Sequence, residues 1–136
     1  MPSTPERLAA VVLGLEGAGL MILTGWEIVA LVTGDTDSVA SSVALIVLTA
    51  LGALAVVAFA FAVWRGASWG RSGGIVTQLL ALAVAIGAMT GPDPQPGFAA
   101  AVAVPALVGL LLLFGAARVA ARRVRASDGA GDQAPE

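Results

Sequence analysis

Four long apolar runs, separated by short polar segments, dominate the pattern of this 136-residue chain. The runs cover about residues 8–33, 39–64, 73–90 and 98–117. They match in length the roughly 20 residues that an α-helix needs to cross the hydrocarbon core of a bilayer. Because the connections between them are short, successive helices are expected to pack as antiparallel neighbours. The pattern predicts an all-α polytopic membrane protein, a four-helix transmembrane bundle with short loops.

Composition agrees with this interpretation and narrows the chemistry. Hydrophobic residues make up 58% of the chain and charged residues 12%, against about 45–50% and about 25% in soluble domains. A core of this size cannot bury so much apolar surface, so lipid must cover much of it. The chain has no cysteine and no histidine, which excludes disulfides, thiolate ligands and imidazole bases. We therefore expect no metal, no cofactor and no enzymatic activity.

The basic residues share one side of the predicted topology. All seven are arginines: Arg7, Arg65, Arg71, Arg118, Arg122, Arg123 and Arg125. The two remaining connections carry only acidic charges, from Asp35, Asp37 and Asp93. Positively charged segments stay in the cytoplasm during insertion. The sequence therefore predicts a plasma-membrane protein with cytoplasmic N- and C-termini.

The segments outside the helices are short. Residues 1–7 form the predicted cytoplasmic N-terminus, 8–117 the transmembrane domain, and 118–136 a basic stub followed by a disordered cytoplasmic tail. Beyond Ala126 the tail has nothing to bury. The stub contains four arginines, Arg118, Arg122, Arg123 and Arg125. They are candidates for contact with anionic lipid headgroups, and a role limited to fixing the topology explains them equally well. Nucleic-acid binding is not expected, since no aromatic residues or folded surface accompany these arginines.

Two glutamates interrupt the first apolar run. Glu16 and Glu27 are eleven residues apart, so they lie about 20° apart around a helix and about 16 Å apart along it. A carboxylate in lipid is costly, which places both toward the bundle, water or a partner chain. One hypothesis is a proton relay or cation site. The other, which we favour, is contact between helices or subunits.

Other polar and aromatic residues mark the third helix and its preceding connection. Gln78 is at the depth of Glu16 and is a candidate to hydrogen-bond it, although a polar group satisfied near the interface is the favoured interpretation. Trp64 and Trp69 bracket the inner boundary, where tryptophan anchors helices at headgroup level. Trp26 is deeper in the first run and is expected to pack inside the bundle.

Three segments resemble a known family. Residues 15–17 (LEG), 64–72 (WRGASWGRS) and 75–80 (IVTQLL) are similar to motifs of small four-helix integral membrane proteins of actinobacteria. That family has an LEG-like motif and an RG-x-x-WARS-x-x-V-x-x-QLL-like motif at these places, and no established activity. The resemblance implies that the positions to suspect are Glu16, Trp69, Arg71 and Gln78. This chain departs from the pattern at Gly70 and at Gly73 with Gly74, which predicts a looser inner turn.

Rows of small residues suggest close helix packing. Ala83, Gly87 and Gly91 recur every four residues, and so do Gly14 and Ala18; such rows let helix backbones approach closely. They fit a tight bundle, a homo-oligomer or a larger membrane complex. The expected function is that of a non-enzymatic accessory or structural membrane subunit. The alternative is a small proton-coupled transporter or channel that uses the two membrane glutamates.

Overall fold

The computed structural model describes residues 3–131, with side chains through Asp128. Four helices account for most of this range: α1 (Thr4–Thr33), α2 (Val39–Trp64), α3 (Ser68–Thr90) and α4 (Pro96–Gly131). All four are long and apolar enough to cross a bilayer. The predicted all-α, four-helix architecture of a multi-pass membrane protein is confirmed.

Helix boundaries differ most from the predicted ones at α3 and α4. α3 begins at Ser68, five residues before the predicted start at Gly73, because residues 68–72 of the predicted connection are helical and Gly70 packs closely on α2. α4 begins at Pro96 and runs to Gly131, where the prediction ended the membrane helix at Ala117 and the stub at Arg125. The segment 126–131 is thus helical in the structure, and the rest of the predicted tail, 132–136, lies outside the described residues.

The turn between α2 and α3 is tight rather than loose. Gly66 adopts a left-handed φ of 75°, which glycine tolerates without a Cβ clash. Its amide donates to the carbonyl of Val63, and the Ala67 amide donates to that of Ala62, so the last carbonyls of α2 are satisfied. Since α3 starts at Ser68, only residues 65–67 connect the helices.

The glycines of the first turns of α3 allow it to approach its neighbours. A Cβ at Gly70 would lie 2.5 Å from the Ala62 Cβ, and one at Gly73 would enter the ring of Phe59. A Cβ at Gly74 would come within 3.1 Å of Leu13 in α1. These glycines therefore create contact surfaces within a regular helix rather than a looser turn.

Each helix packs against its neighbours in sequence, and α4 packs against α1 to close the bundle. The turns after α1 and α3 therefore form one end, which we call the aspartate end (Asp35, Asp37 and Asp93). The first turn of α1, the α2–α3 turn and the last turns of α4 form the opposite end, the arginine end. The main apolar core lies toward the arginine end and comprises Ala9, Ala10, Leu13, Val56, Ala60, Val63 and Leu113.

Candidate functional site

A buried hydrogen bond joins α1 to α3 across the bundle. Gln78 is fully buried, and its Nε2 donates to Oε2 of Glu16 at 2.6 Å. These two helices lie on a diagonal, because each packs mainly against α2 and α4. The polar pair therefore adds a hydrogen bond between two helices that already meet where Leu13 lies beside Gly74. Of the two interpretations of Gln78, the structure has the bond to Glu16.

α4 provides the space for this amide. A Cβ at Gly109 would lie 2.8 Å from Nε2 of Gln78 and 2.9 Å from its Cδ. The side chain of Gln78 thus packs directly on the α4 backbone at Gly109, where a Cβ would require the amide to shift. Its Oε1 is buried and has no hydrogen-bond partner among the described residues. The site is a three-helix junction with one unused acceptor.

The second membrane glutamate is bonded to a different helix. Oε1 of Glu27 accepts a hydrogen bond from the Thr49 hydroxyl of α2 at 3.2 Å. Its other oxygen is buried without a partner in the part of the chain that the structure describes. Glu16 and Glu27 share a face of α1 by their spacing, yet their described partners lie in α3 and α2. Among the described residues, no hydrogen-bond partner is shared by the two glutamates.

Trp26 does not pack inside the bundle, and that prediction is wrong. It is 72% exposed. The adjacent Glu27 takes the bundle-facing position, and one residue along a helix is a rotation of about 100°. The indole is therefore turned outward, toward the lipid that would surround the bundle.

At the arginine end a second polar cluster ties the start of α1 to the α2–α3 turn. The buried carboxylate of Glu6 accepts hydrogen bonds from the backbone amide and the hydroxyl of Ser3. Nη1 of Arg71 lies 3.2 Å from Oε1 of Glu6 and donates at 2.9 Å to the carbonyl of Gly66. Arg71 therefore holds together α1, the turn and its own helix α3.

Aromatic side chains flank this cluster on the surface. Trp69 is 56% exposed and meets Phe59 edge to face, with ring centroids 5.9 Å apart. Trp64 is exposed at the end of α2. The guanidinium of Arg65 lies 4.8 Å from the centroid of the Phe61 ring. The two tryptophans thus surround the arginine end, as expected of residues that anchor a bundle at the headgroup region.

The arginines at the end of α4 fall into two groups. Arg118, Arg122 and Arg125 line a shallow groove of about 220 Å³ along α4 itself. Arg123 instead lines a cavity of about 330 Å³ that it shares with Glu6, Arg65 and Arg71. Only one of the four stub arginines therefore faces the polar cluster.

Comparison with known proteins adds no relative. No family model, curated protein or solved structure matches the chain. The resemblance to small actinobacterial membrane proteins therefore stays a prediction. Function has to be argued from the arrangement of the side chains.

Several residues of these sites were missed by the sequence reasoning. Glu6 had a local signal, because a serine followed three residues later by glutamate is typical of a helix N-terminus. Thr49 and Gly109 had no signal of that kind. Their roles depend on which side of α2 and α4 faces the bundle. Both helices are apolar on all sides, so the sequence does not show that side.

Proposed function

We propose that this protein is a multi-pass plasma-membrane protein with cytoplasmic termini that serves as a non-enzymatic accessory or structural subunit. The orientation is supported by the arginines, which lie at one end of the bundle, while the aspartates of the short turns lie at the other. Under the positive-inside rule, the arginine end faces the cytoplasm.

The observation that carries the structural role is the use made of the membrane carboxylates. Glu16 accepts a hydrogen bond from Gln78 of α3, and Glu27 accepts one from Thr49 of α2. Interhelical hydrogen bonds of this kind stabilise membrane bundles by about 0.6 kcal/mol each on average. Both acidic groups therefore have an architectural use that requires no substrate.

Outward-facing small residues support association with another chain. Cβ atoms built at Gly14 and Gly87 would meet nothing within 4 Å. The predicted rows that contain them, with Ala18 and Ala83, thus lie on the outside of the bundle rather than in its core. Such surfaces let a partner helix approach closely in lipid.

The experiment compares the size of the assembly after extraction from native membranes. We expect the 13.4 kDa chain, solubilised in mild detergent, to migrate in a particle larger than a monomer in the same micelle. Gly87→Leu should reduce that size because it fills the row. Val104→Leu is the matched control, since Val104 is also exposed but lies on α4, away from the row. A monomer in both wild type and control contradicts the accessory role.

A second function, proton-coupled transport, is favoured by one observation. Oε2 of Glu27 and Oε1 of Gln78 are buried without partners among the described residues. The carboxyl oxygen of Glu27 can take up a proton, and both oxygens can bind a cation. Purified protein in liposomes containing a pH-sensitive dye tests this directly. Proton flux that is lost in Glu16→Gln and retained in Thr90→Val would replace the accessory role by transport.

The orientation has its own test. A reporter fused after Glu136 that is active only in the cytoplasm should be active. One that is active only outside the cytoplasm should be silent, and the reverse result would overturn the proposed topology.

A further inference from the structure

The cavity at the arginine end combines a strong positive charge with an opening beside the membrane boundary. It has a volume of about 330 Å³, and its lining includes Glu6, Arg65, Gly66, Arg71 and Arg123. Among the described residues, three guanidinium groups and one carboxylate line it. Three helices and one turn contribute to it, so the charge is concentrated by the fold and not by a single run of sequence.

One of these arginines is held rigidly. Nη1 of Arg71 donates both to Glu6 and to the Gly66 carbonyl, and Glu6 is in turn held by Ser3. A guanidinium carries five N–H donors in a planar fork, so these two bonds leave Arg71 with further donors on its other nitrogens. A rigid fork of this kind suits the oxygens of a phosphate group.

The surroundings point to a lipid as the source of that phosphate. Trp64 and Trp69, both half exposed, lie on either side of the turn that forms the cavity. Tryptophan side chains prefer the headgroup layer. Arg65 lies against the outward-facing ring of Phe61, so its charged head is at the border between apolar surface and headgroups. The cavity therefore opens at the depth where lipid phosphates are found.

We propose that this cavity is a binding site for the phosphate of an anionic phospholipid, with Arg65 and Arg123 contacting the headgroup and Arg71 positioned by Glu6 to complete the site. The site differs from the groove of Arg118, Arg122 and Arg125, which is formed by α4 alone and offers diffuse attraction to any anionic surface. The proposal is independent of the accessory role, because it requires only that the bundle span a bilayer.

The test measures the affinity of short-chain lipids for delipidated protein in neutral detergent. Dioctanoyl phosphatidylglycerol should bind saturably, and dioctanoyl phosphatidylcholine should bind at least tenfold more weakly. The double variant Arg65→Gln with Arg123→Gln should weaken phosphatidylglycerol binding about 30-fold, since each basic residue near an anionic surface contributes about fivefold. The control Arg118→Gln with Arg125→Gln makes the same charge change outside the cavity and should alter affinity less than threefold.

A second double variant guards against misfolding. Arg65→Lys with Arg123→Lys keeps the charge but loses the planar fork, and it should bind several-fold more weakly than the wild type while remaining folded. Lysine variants that bind as tightly as wild type would contradict recognition by arginine forks.

Three results would overturn the proposal. Equal losses in the cavity and control variants would mean that binding is diffuse. Equal affinity for the two lipids would mean that the anionic charge is not recognised. Saturable binding of inorganic phosphate as tight as that of phosphatidylglycerol would assign the cavity to a soluble anion instead of a lipid.

Discussion

The two halves of the bundle are built differently. The half near the arginine end contains the largest fully buried side chains, Leu13, Val63, Gln78 and Leu113. The half near the aspartate end buries mainly small residues, such as Thr24, Ala85 and Ala99. Close packing and the polar junction of three helices thus coincide in one half.

The glycines of α3 also differ between the two halves in the space around them. Gly70 and Gly74, near the arginine end, lie against other helices, whereas Gly87 near the other end has open space around it. In lipid, helices are held together by packing and hydrogen bonds, because apolar surface alone gives no preference for protein over lipid. We infer that the arginine half holds the fold together and that the open rows of Gly14 and Gly87 offer surface to other chains.

The strongest test substitutes one glycine in each half. A Cβ at Gly70 would lie 2.5 Å from the Ala62 Cβ and 2.7 Å from the Val63 amide nitrogen, and backbone atoms cannot move aside easily. Gly70→Ala should therefore destabilise the bundle by about 3 kcal/mol. Gly87→Ala, with nothing within 4 Å, should change stability by less than about 1 kcal/mol.

Unfolding in mixed detergent micelles, followed by tryptophan fluorescence, measures both variants. Equal destabilisation by the two changes would show that the halves do not differ in packing.

The two membrane glutamates give the next largest contrast. Glu16→Leu removes the acceptor for Nε2 of the fully buried Gln78. Oε1 of Gln78 is already without a partner among the described residues, so the whole amide would then be unpaired among them. The expected cost is about 2 kcal/mol. Glu27→Leu removes a buried oxygen that has no such partner, so it should cost less than half as much.

The same unfolding assay compares them, with Glu16→Gln as a polar control that should retain most of the stability. A larger loss in Glu27→Leu than in Glu16→Leu would reverse the assignment of the stabilising half.

These contrasts also explain how far the sequence could predict the structure. Depth in the membrane could be read from the apolar runs, which is why α2 begins and ends where expected and why Gln78 was matched in depth with Glu16. Glu16 and Glu27 marked the inner side of α1, but the rotation of α2 and α4 about their axes could not be read, because both helices are apolar on all sides. The contact of Gly109 with Gln78 depends on that rotation.

The start of α3 was missed for a related reason. Gly70 lowers helix propensity in a soluble setting, and with the polar Arg71 and Ser72 it falls in the segment predicted as a connection. In the bundle Gly70 lets α3 approach α2 closely, which offsets its poor propensity. A tertiary contact thus decides a local boundary.

A smaller effect is expected where α4 meets the polar junction. Gly109→Ala would place a Cβ 2.8 Å from Nε2 of Gln78, but a side-chain amide can shift, so the cost should be about 1 kcal/mol. In a Gln78→Ala background the added methyl has room. A double-mutant cycle should therefore give a coupling of at least about 0.5 kcal/mol, and additive effects would mean that the two residues do not touch.

The smallest predicted effect concerns the hydrogen bond near the aspartate end. Thr49→Val removes the hydroxyl that donates to Glu27 at 3.2 Å, and an average interhelical hydrogen bond in a membrane contributes about 0.6 kcal/mol. Thr77→Val is the matched control, because that hydroxyl donates to the Gly73 carbonyl of its own helix and should contribute almost nothing to helix association. If Thr49→Val costs no more than the control, its bond to Glu27 does not stabilise the bundle, which would favour the transport alternative for that residue.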